Sequence, residues 1–444
     1  MKYRISILFA LLGFLAQAQE QLTLSEAVNY ALKNKADAVK AQLDVQNSEY
    51  KIQEVRSAAL PQISINGDLT YNAIIQQMAL VMNGQTQILK MGLPWQSTAT
   101  VSLNQQIFNQ AVFTGLKAAK TTREFYKINA QLTEEQVIEK VATSYYEVYK
   151  TKTQVKTLDT TIDNTTRIRG VIKSLYDNGL AKKIDLDRTD VNLNNLKSNR
   201  QQLMNSLSLQ ENSLKYLIGM DINTPIELPD NTFDVSKHVL IDETANVVDN
   251  LTAVKVLEKQ NELLHLNKKA VEAEGIPSLS FNANYGYLGM GEDFPWFSKD
   301  LNTNWSNFST FGLKLSIPVF HGGSIRAKIK QAQIDIEKSQ TDIRDTRLAL
   351  DLAYKNAVTQ MNNSLITLNM QKENVNLAQE VLSNIENNYK FGLATLTDLL
   401  DAETSYTDAQ NNYTSASLDY KLAEVQLIKA KGELKTLTET ELEN

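Results

Sequence analysis

The hydrophobic positions along this chain follow two different periods, and the switches between them mark out its architecture. After Pro61, the residues Ile63, Ile65, Gly67, Leu69 and Tyr71 alternate with Ser64, Asn66, Asp68 and Thr70. Successive side chains of a strand point to opposite faces, so this rhythm reads as a β-strand with one apolar and one polar face. Three further segments repeat it. Val101, Leu103 and Ile107 stand against Thr100, Ser102, Asn104 and Gln106; Leu279, Phe281, Tyr285 and Tyr287 stand against Ser280, Asn282, Asn284 and Gly286; Phe311, Leu313, Leu315 and Ile317 stand against Thr310, Gly312, Lys314 and Ser316. Each segment is about ten residues long, the length of a tilted membrane-spanning strand. A half-buried sheet in a soluble protein alternates in the same way, so the pattern alone leaves both settings open.

Elsewhere the period is helical. No breaker interrupts 324–389, which predicts roughly 100 Å of continuous helix. Ile329, Ile336, Ile343, Leu350 and Ala357 recur every seventh position, and after a four-residue step the seam resumes at Met361, Leu368, Val375, Leu382 and Tyr389. That is a coiled-coil repeat with one stutter, which locally relaxes the supercoil. A shorter return helix is expected over 396–437. The first half follows the same plan over 111–176 and 184–218, and shorter helices are expected at 25–34, 36–57 and 251–273. Many core positions are Ala, Ser or Thr, and Tyr145, Tyr146, Tyr149, Tyr406, Tyr413 and Tyr420 lie along the long helices. Two packings satisfy this pattern: a solid four-helix rod, or helices that touch neighbours on two sides and turn a polar side to a water-filled lumen.

The same architecture is written twice. Leu60-Pro61-Gln62-Ile63-Ser64 is echoed by Ile276-Pro277-Ser278-Leu279-Ser280, Gln106-Ile107-Phe108 by Pro318-Val319-Phe320, and Asn178-Gly179-Leu180 by Phe391-Gly392-Leu393. The displacement is roughly 210 residues each time, so the chain divides into a first repeat at 19–218, a linker at 219–250 and a second repeat at 251–444. The prolines that precede the strands stop the helices before them, because proline forces its predecessor out of the α region.

Residues 1–18 read as a secretory signal peptide: Lys2 and Arg4, an apolar run from Ile5 to Leu15, and the small-residue ending Ala16-Gln17-Ala18. No later stretch approaches the ~18 apolar residues that a membrane helix requires, so a membrane-spanning part would have to be built from strands. There is no cysteine, hence no disulfide and no acylated lipoprotein anchor. The net charge of −6 disfavours nucleic acid. Seven prolines and seventeen glycines in 444 residues are few, as long helices demand.

Four strands cannot close a barrel, because the smallest outer-membrane barrels need about eight and an open edge in lipid strands its backbone groups. Other copies of the chain would have to supply the rest. The segments between paired strands, 73–97 and 289–308, are expected to be loops at one rim. Their Trp95, Trp296 and Trp305 suit an interfacial aromatic belt or simple loop packing equally well.

The most specific sequence lies where each long helix turns back. One turn runs from Tyr176 through Asn178-Gly179-Leu180 to Asp185, the other from Tyr389 through Phe391-Gly392-Leu393 to Asp398, Asp401 and Glu403. Each glycine falls where a helix C-terminus needs a left-handed residue, and Asp185 and Asp398 begin the return helices, where a carboxylate suits the positive dipole end. Asp398 and Asp401 are three apart and share a helix face.

These turns, the repeat, and the passage Leu315-Ser316-Ile317-Pro318-Val319-Phe320-His321-Gly322-Gly323 together resemble the TolC-type outer-membrane efflux proteins over nearly the whole mature chain. The resemblance implies a mainly α fold with a transmembrane β part, a trimeric α/β barrel to which each chain gives four strands and long coiled-coil hairpins. It implies an exit duct in the outer membrane, its helices in the periplasm. Its partners would be outer-membrane lipid, a periplasmic adaptor docking on the hairpin tips around Gly179, Leu180, Gly392 and Leu393, and a proton-driven inner-membrane pump. It also assigns Asp398 and Asp401 to a pore constriction, where three copies would form a carboxylate ring able to hold a divalent cation. Tyr389 and Asp185 correspond to a pair that ties the closed state. Some members carry an arginine where this chain has Ala394, and Lys182 or Lys183, on the other hairpin, would have to substitute for it.

No catalytic constellation accompanies these features. His238, His265 and His321 are scattered, there is no phosphate-binding glycine loop or activated serine motif, and no cofactor is implied. The rival readings are the outer component of a one-step protein secretion system, which shares the fold, and a periplasmic coiled-coil scaffold, which has no use for four amphipathic strands.

Overall fold

The computed structural model describes residues 21–82, 84–230, 248–296 and 303–438. The expected signal peptide, His238 and part of the linker lie outside them. In chain order the elements are α1 (Leu24–Asn34), α2 (Ala36–Ser57), β1 (Gln62–Tyr71), β2 (Gln77–Met82), β3 (Gln85–Lys90), β4 (Trp95–Phe108), α3 (Gln110–Asp177), α4 (Lys183–Ile218), α5 (Thr252–Ala273), β5 (Ser278–Gly291), β6 (Thr303–Ser316), α6 (Ser324–Lys390) and α7 (Leu396–Lys431). Two compact units divide the described residues: one within Met1–Asp44, Lys127–Val256 and Ile343–Asn444, the other within Val45–Tyr126 and Leu257–Asp342.

The second unit holds an antiparallel sheet in the order β1-β4-β5-β6. Its register sorts side chains by polarity. Ile63 faces Leu103, which faces Ala283, which faces Phe311; one step along, Gln62 faces Asn104, Asn282 and Gly312 in turn. Paired residues share a face, so one side of the sheet is apolar and the other carries amides and hydroxyls. The Asn104 amide donates to Asn282 Oδ1 at 2.7 Å on the polar side. On the apolar side Ile65, Phe311 and Leu313 are 77%, 73% and 68% exposed, so within one chain this face has no cover. Gly286 and Gly289 let large rings lie across the sheet. A β-carbon on Gly286 would come within 2.7 Å of Phe308, and one on Gly289 within 2.8 Å of Trp305.

The strands of the sheet run up to fourteen residues, longer than expected, and the first inter-strand segment is not a plain loop. It contains a separate two-stranded hairpin, β2 with β3, whose turn uses Gly84 at positive φ. The alternation Met78-Ala79-Leu80-Val81 is too short and too apolar on both faces to have been separated from loop by period alone. Trp95 packs at a tilt against Tyr71 and edge-to-face against Phe294, and Trp296 donates to Ser97 Oγ, so these indoles cluster where the strands end.

In the first unit the heptad positions of α6 face inward. Ile343, Ala357, Met361, Leu368 and Leu382 are buried, and Leu350, Val375 and Tyr389 are half-buried, on both sides of the stutter. Tyr354, Ala357, Met361 and Leu368 of α6 meet Ala416, Tyr420, Ala423 and Leu427 of α7. The main core joins α1, α3, α4 and α7 through Val28, Val141, Tyr145, Ile218, Leu418 and Val425. Each such aliphatic side chain contributes about 1.5–3 kcal/mol on full burial. Tyr145 is wholly buried, and its hydroxyl reaches the Leu22 carbonyl at 2.9 Å, which removes the cost of a stranded polar atom.

The base of the first hairpin is tightly fixed. α4 ends at Gly219 with φ +76°, where a β-carbon would lie 2.8 Å from the Asn34 carbonyl oxygen at the end of α1. From the corner between α1 and α2, Lys35 Nζ donates to the Tyr216 carbonyl at 3.1 Å and sits 3.8 Å from that ring's centre. The second hairpin closes differently: α7 stops at Gly432, earlier than the expected 437, and a 3-10 turn over Leu434–Thr438 follows.

Candidate functional site

The four return-loop residues singled out by sequence form two similar turns. Gly179 and Gly392 have φ of +74° and +71°, and the following N–H of Leu180 and Leu393 reaches back to the Leu175 and Asn388 carbonyls, both at 2.8 Å. Left-handed closure of this kind satisfies the last carbonyls of a helix and reverses the chain. Leu180 and Leu393 are left 76% and 78% exposed.

The return helices start unequally. α7 opens with a capping box: Thr395 Oγ1 accepts from the Asp398 N–H at 3.2 Å, and Asp398 Oδ2 accepts from the Thr395 N–H at 2.8 Å and its hydroxyl at 2.7 Å. Those bonds, the hydroxyl first and the backbone second, hold the Asp398 carboxyl below its ordinary range. Asp401, one turn on, is exposed and has no part in the cap. Asp398 therefore has a local structural task and Asp401 does not. α4 has no side-chain cap at Lys182, and Asp185 lies half-buried in its first turn.

Tyr389 is half-buried beside Leu382, Leu399 and Ala402. Burial raises its hydroxyl pKa, and the negative charge of Asp185 raises it further, so these two residues lie within electrostatic range. No hydrogen bond joins them among the described residues. The direct polar tie between the turns comes instead from Arg188, whose Nη1 donates to Thr397 Oγ1 at 3.1 Å. Sequence reading looked to Lys182 or Lys183 for a cation here. Arg188 sits five residues past Lys183, on the turn of α4 that can reach α7, and only the packing of the two helices reveals it.

A second group was also missed. Thr161 and Thr407 share a hydrogen bond at 2.9 Å, and Thr165 Oγ1 donates to Glu403 Oε2 at 3.1 Å. Glu403 is 4% exposed. Burial pushes its carboxyl up to about 7; the Thr165 hydrogen bond opposes this, Glu386 adds to it and Arg167 opposes it. Two residues past Asp401, Glu403 is turned about 200° around the helix, so one carboxylate meets solvent and the other the seam with α3. That angular difference was the available signal.

The chain matches the pattern of the family described as Outer membrane efflux protein over residues 27–220 and 267–433. It belongs to that family. The two matched blocks correspond to the two halves of the repeat, and they place the protein in the outer membrane as an efflux channel. Among efflux-protein relatives, "Outer membrane protein TolC" of Salmonella enteritidis is 22% identical over 417 residues, which cover 90% of this chain and 80% of that protein. The outer membrane protein VceC of Vibrio cholerae shares the fold with a TM-score of 0.72 at 16% identity, covering 92% of this chain and 96% of that one. The MtrE outer membrane channel of Neisseria gonorrhoeae, solved in its open state, gives a TM-score of 0.72 at 17% identity, covering 94% and 91%. Among the described residues no helix is long and apolar enough to cross a membrane.

Proposed function

We propose that this efflux protein is a passive homotrimeric exit duct, fed by an inner-membrane pump through a periplasmic adaptor. One observation carries the reading. A four-stranded sheet leaves β1 and β6 as free edges and one apolar face largely exposed, which is untenable in lipid until other copies pair with those edges. The polar ladder through Asn104 and Asn282 then lines the water-filled interior.

The gate lies at the hairpin turns. Asp398 and Asp401 form the constriction as a ring contributed by all copies. Among the described residues no group of three or more His, Asp or Glu side chains could hold a metal within one chain, so a divalent cation would be held by the ring. Tyr389 with Asp185, and Arg188 with Thr397, keep the two hairpins of a chain together in the closed state. The exposed Leu180 and Leu393, presented by Gly179 and Gly392, are the surface for the adaptor, and the pump supplies energy from the proton gradient.

Planar-bilayer recording of the purified chain tests the duct. Channels of uniform conductance from detergent-extracted trimers are expected; a protein that leaves the membrane without detergent and stays monomeric would overturn the reading.

A further inference from the structure

Within the first unit, α3, α4 and α7 line a pocket of about 310 Å³, open to solvent on one side, that the duct mechanism does not use. Its polar lining is one-sided. Asn192, Asn195 and Asn199 come from α4, and Glu403, Asp408 and Asn411 from α7, with no lysine, arginine or histidine among the lining residues. Two of these groups are incomplete: Glu403 Oε1 and Asn411 Oδ1 are buried without a hydrogen-bond partner. Unpaired buried acceptors cost free energy and call for a donor. Arg167, the cation whose charge bears on Glu403, donates to Asn164 at 3.0 Å. Leu158, Leu196 and Leu203 give the wall an apolar part, and the neutral polar side chains of Gln154, Thr161, Thr404 and Thr407 complete it.

We propose that this cavity is a binding site for a compact organic cation, an ammonium or guanidinium group carrying a short aliphatic chain. The carboxyls of Glu403 and Asp408 exclude anions. A bare metal ion fits poorly, because no metal-holding group of three such side chains exists among the described residues and hard cations demand a close shell of about six oxygens. The volume matches the lower range of small-molecule pockets. A guanidinium offers several N–H donors in a fixed plane to orphan oxygens, while its alkyl chain lies on the leucines. If the site lies along the exported path it favours cationic cargo; that consequence rests on the duct reading, whereas binding itself does not.

The test is isothermal titration of the detergent-purified full chain at pH 8 with butylguanidinium chloride, using butylurea as the uncharged match. One equivalent of butylguanidinium per chain is expected, with affinity at least tenfold weaker in Glu403→Gln and no saturation by butylurea. Asn195→Phe, a substitution at an exposed position of α4, fills the cavity and should abolish binding at an unchanged unfolding temperature. Binding retained in Asn195→Phe, or butylurea binding as tightly as butylguanidinium, overturns the site, and so does a folded Glu403→Gln with wild-type affinity. A chain that binds butylguanidinium but forms no channels rejects the duct and keeps the site.

Discussion

Arg188 on the first hairpin donates to the Thr397 hydroxyl on the second, 3.1 Å away, and so joins the two turns at the start of α7. The bond is exposed, so its net worth is about 1 kcal/mol or less. Even that shifts a closed-to-open ratio about fivefold, because 1.4 kcal/mol is a factor of ten.

Arg188→Ala is therefore expected to raise the open fraction of single channels severalfold in planar bilayers. Thr397→Val should do the same, and the double variant should exceed neither by much, as two ends of one bond require. Additive effects would place the two residues in separate interactions.

Asp398 and Asp401 should separate by experiment. Asp398→Ala removes half of a capping box and is expected to lower stability by about 1 kcal/mol, measured by thermal unfolding, in addition to weakening block by divalent cations. Asp401→Ala should weaken the block and leave the unfolding temperature unchanged. Unchanged block in both would remove them from the pore.

Glu403 predicts a pH dependence of defined sign. Its carboxyl keeps its proton in the fold up to about 7, against an ordinary 4.5. Below 4.5 it is protonated folded and unfolded alike, and it adds no pH dependence. Between 4.5 and 7 the unfolded chain releases the proton first, so stability falls as pH rises and levels off above that window. The full loss is on the order of 3 kcal/mol per chain. Unfolding temperatures measured across this window should fall for the wild type, and Glu403→Gln, neutral throughout, should remove that component.

In the sheet, Gly286→Ala would bring a methyl within 2.7 Å of Phe308 and 2.9 Å of the Ala99 carbonyl. The backbone oxygen cannot swing away, so the variant should assemble poorly into trimers resistant to dodecyl sulfate on unheated gels. Gly312→Ala, with nothing within 4 Å, should assemble normally.

The strand alternation and the heptad seam were readable because both periods extend over many residues, and Ile336, Ile343, Met361 and Leu368 fall buried where the seven-residue repeat puts them. Helix ends at Gly179 and Gly392 were readable because backbone geometry admits few residues there. The β2–β3 hairpin was not, since six-residue strands carry too little periodicity. Arg188, Thr165 and Glu403 were hidden for another reason. Their partners lie some 210 to 240 residues away on another helix, and only packing defines which turn meets which. Such contacts leave no local mark.

Because Gly219 presses against Asn34, the first hairpin is clamped at its base and can change length only in step. One residue added to α4 alone would turn everything beyond it by about 100° and shift it by about 1.5 Å, and would take Arg188 off Thr397. Matched insertions of about seven residues in α3 and α4 together nearly restore the phase and extend the arm by about 10 Å. The reach of this hairpin is therefore stepwise: Leu180 can stand at a few discrete heights and at none between them.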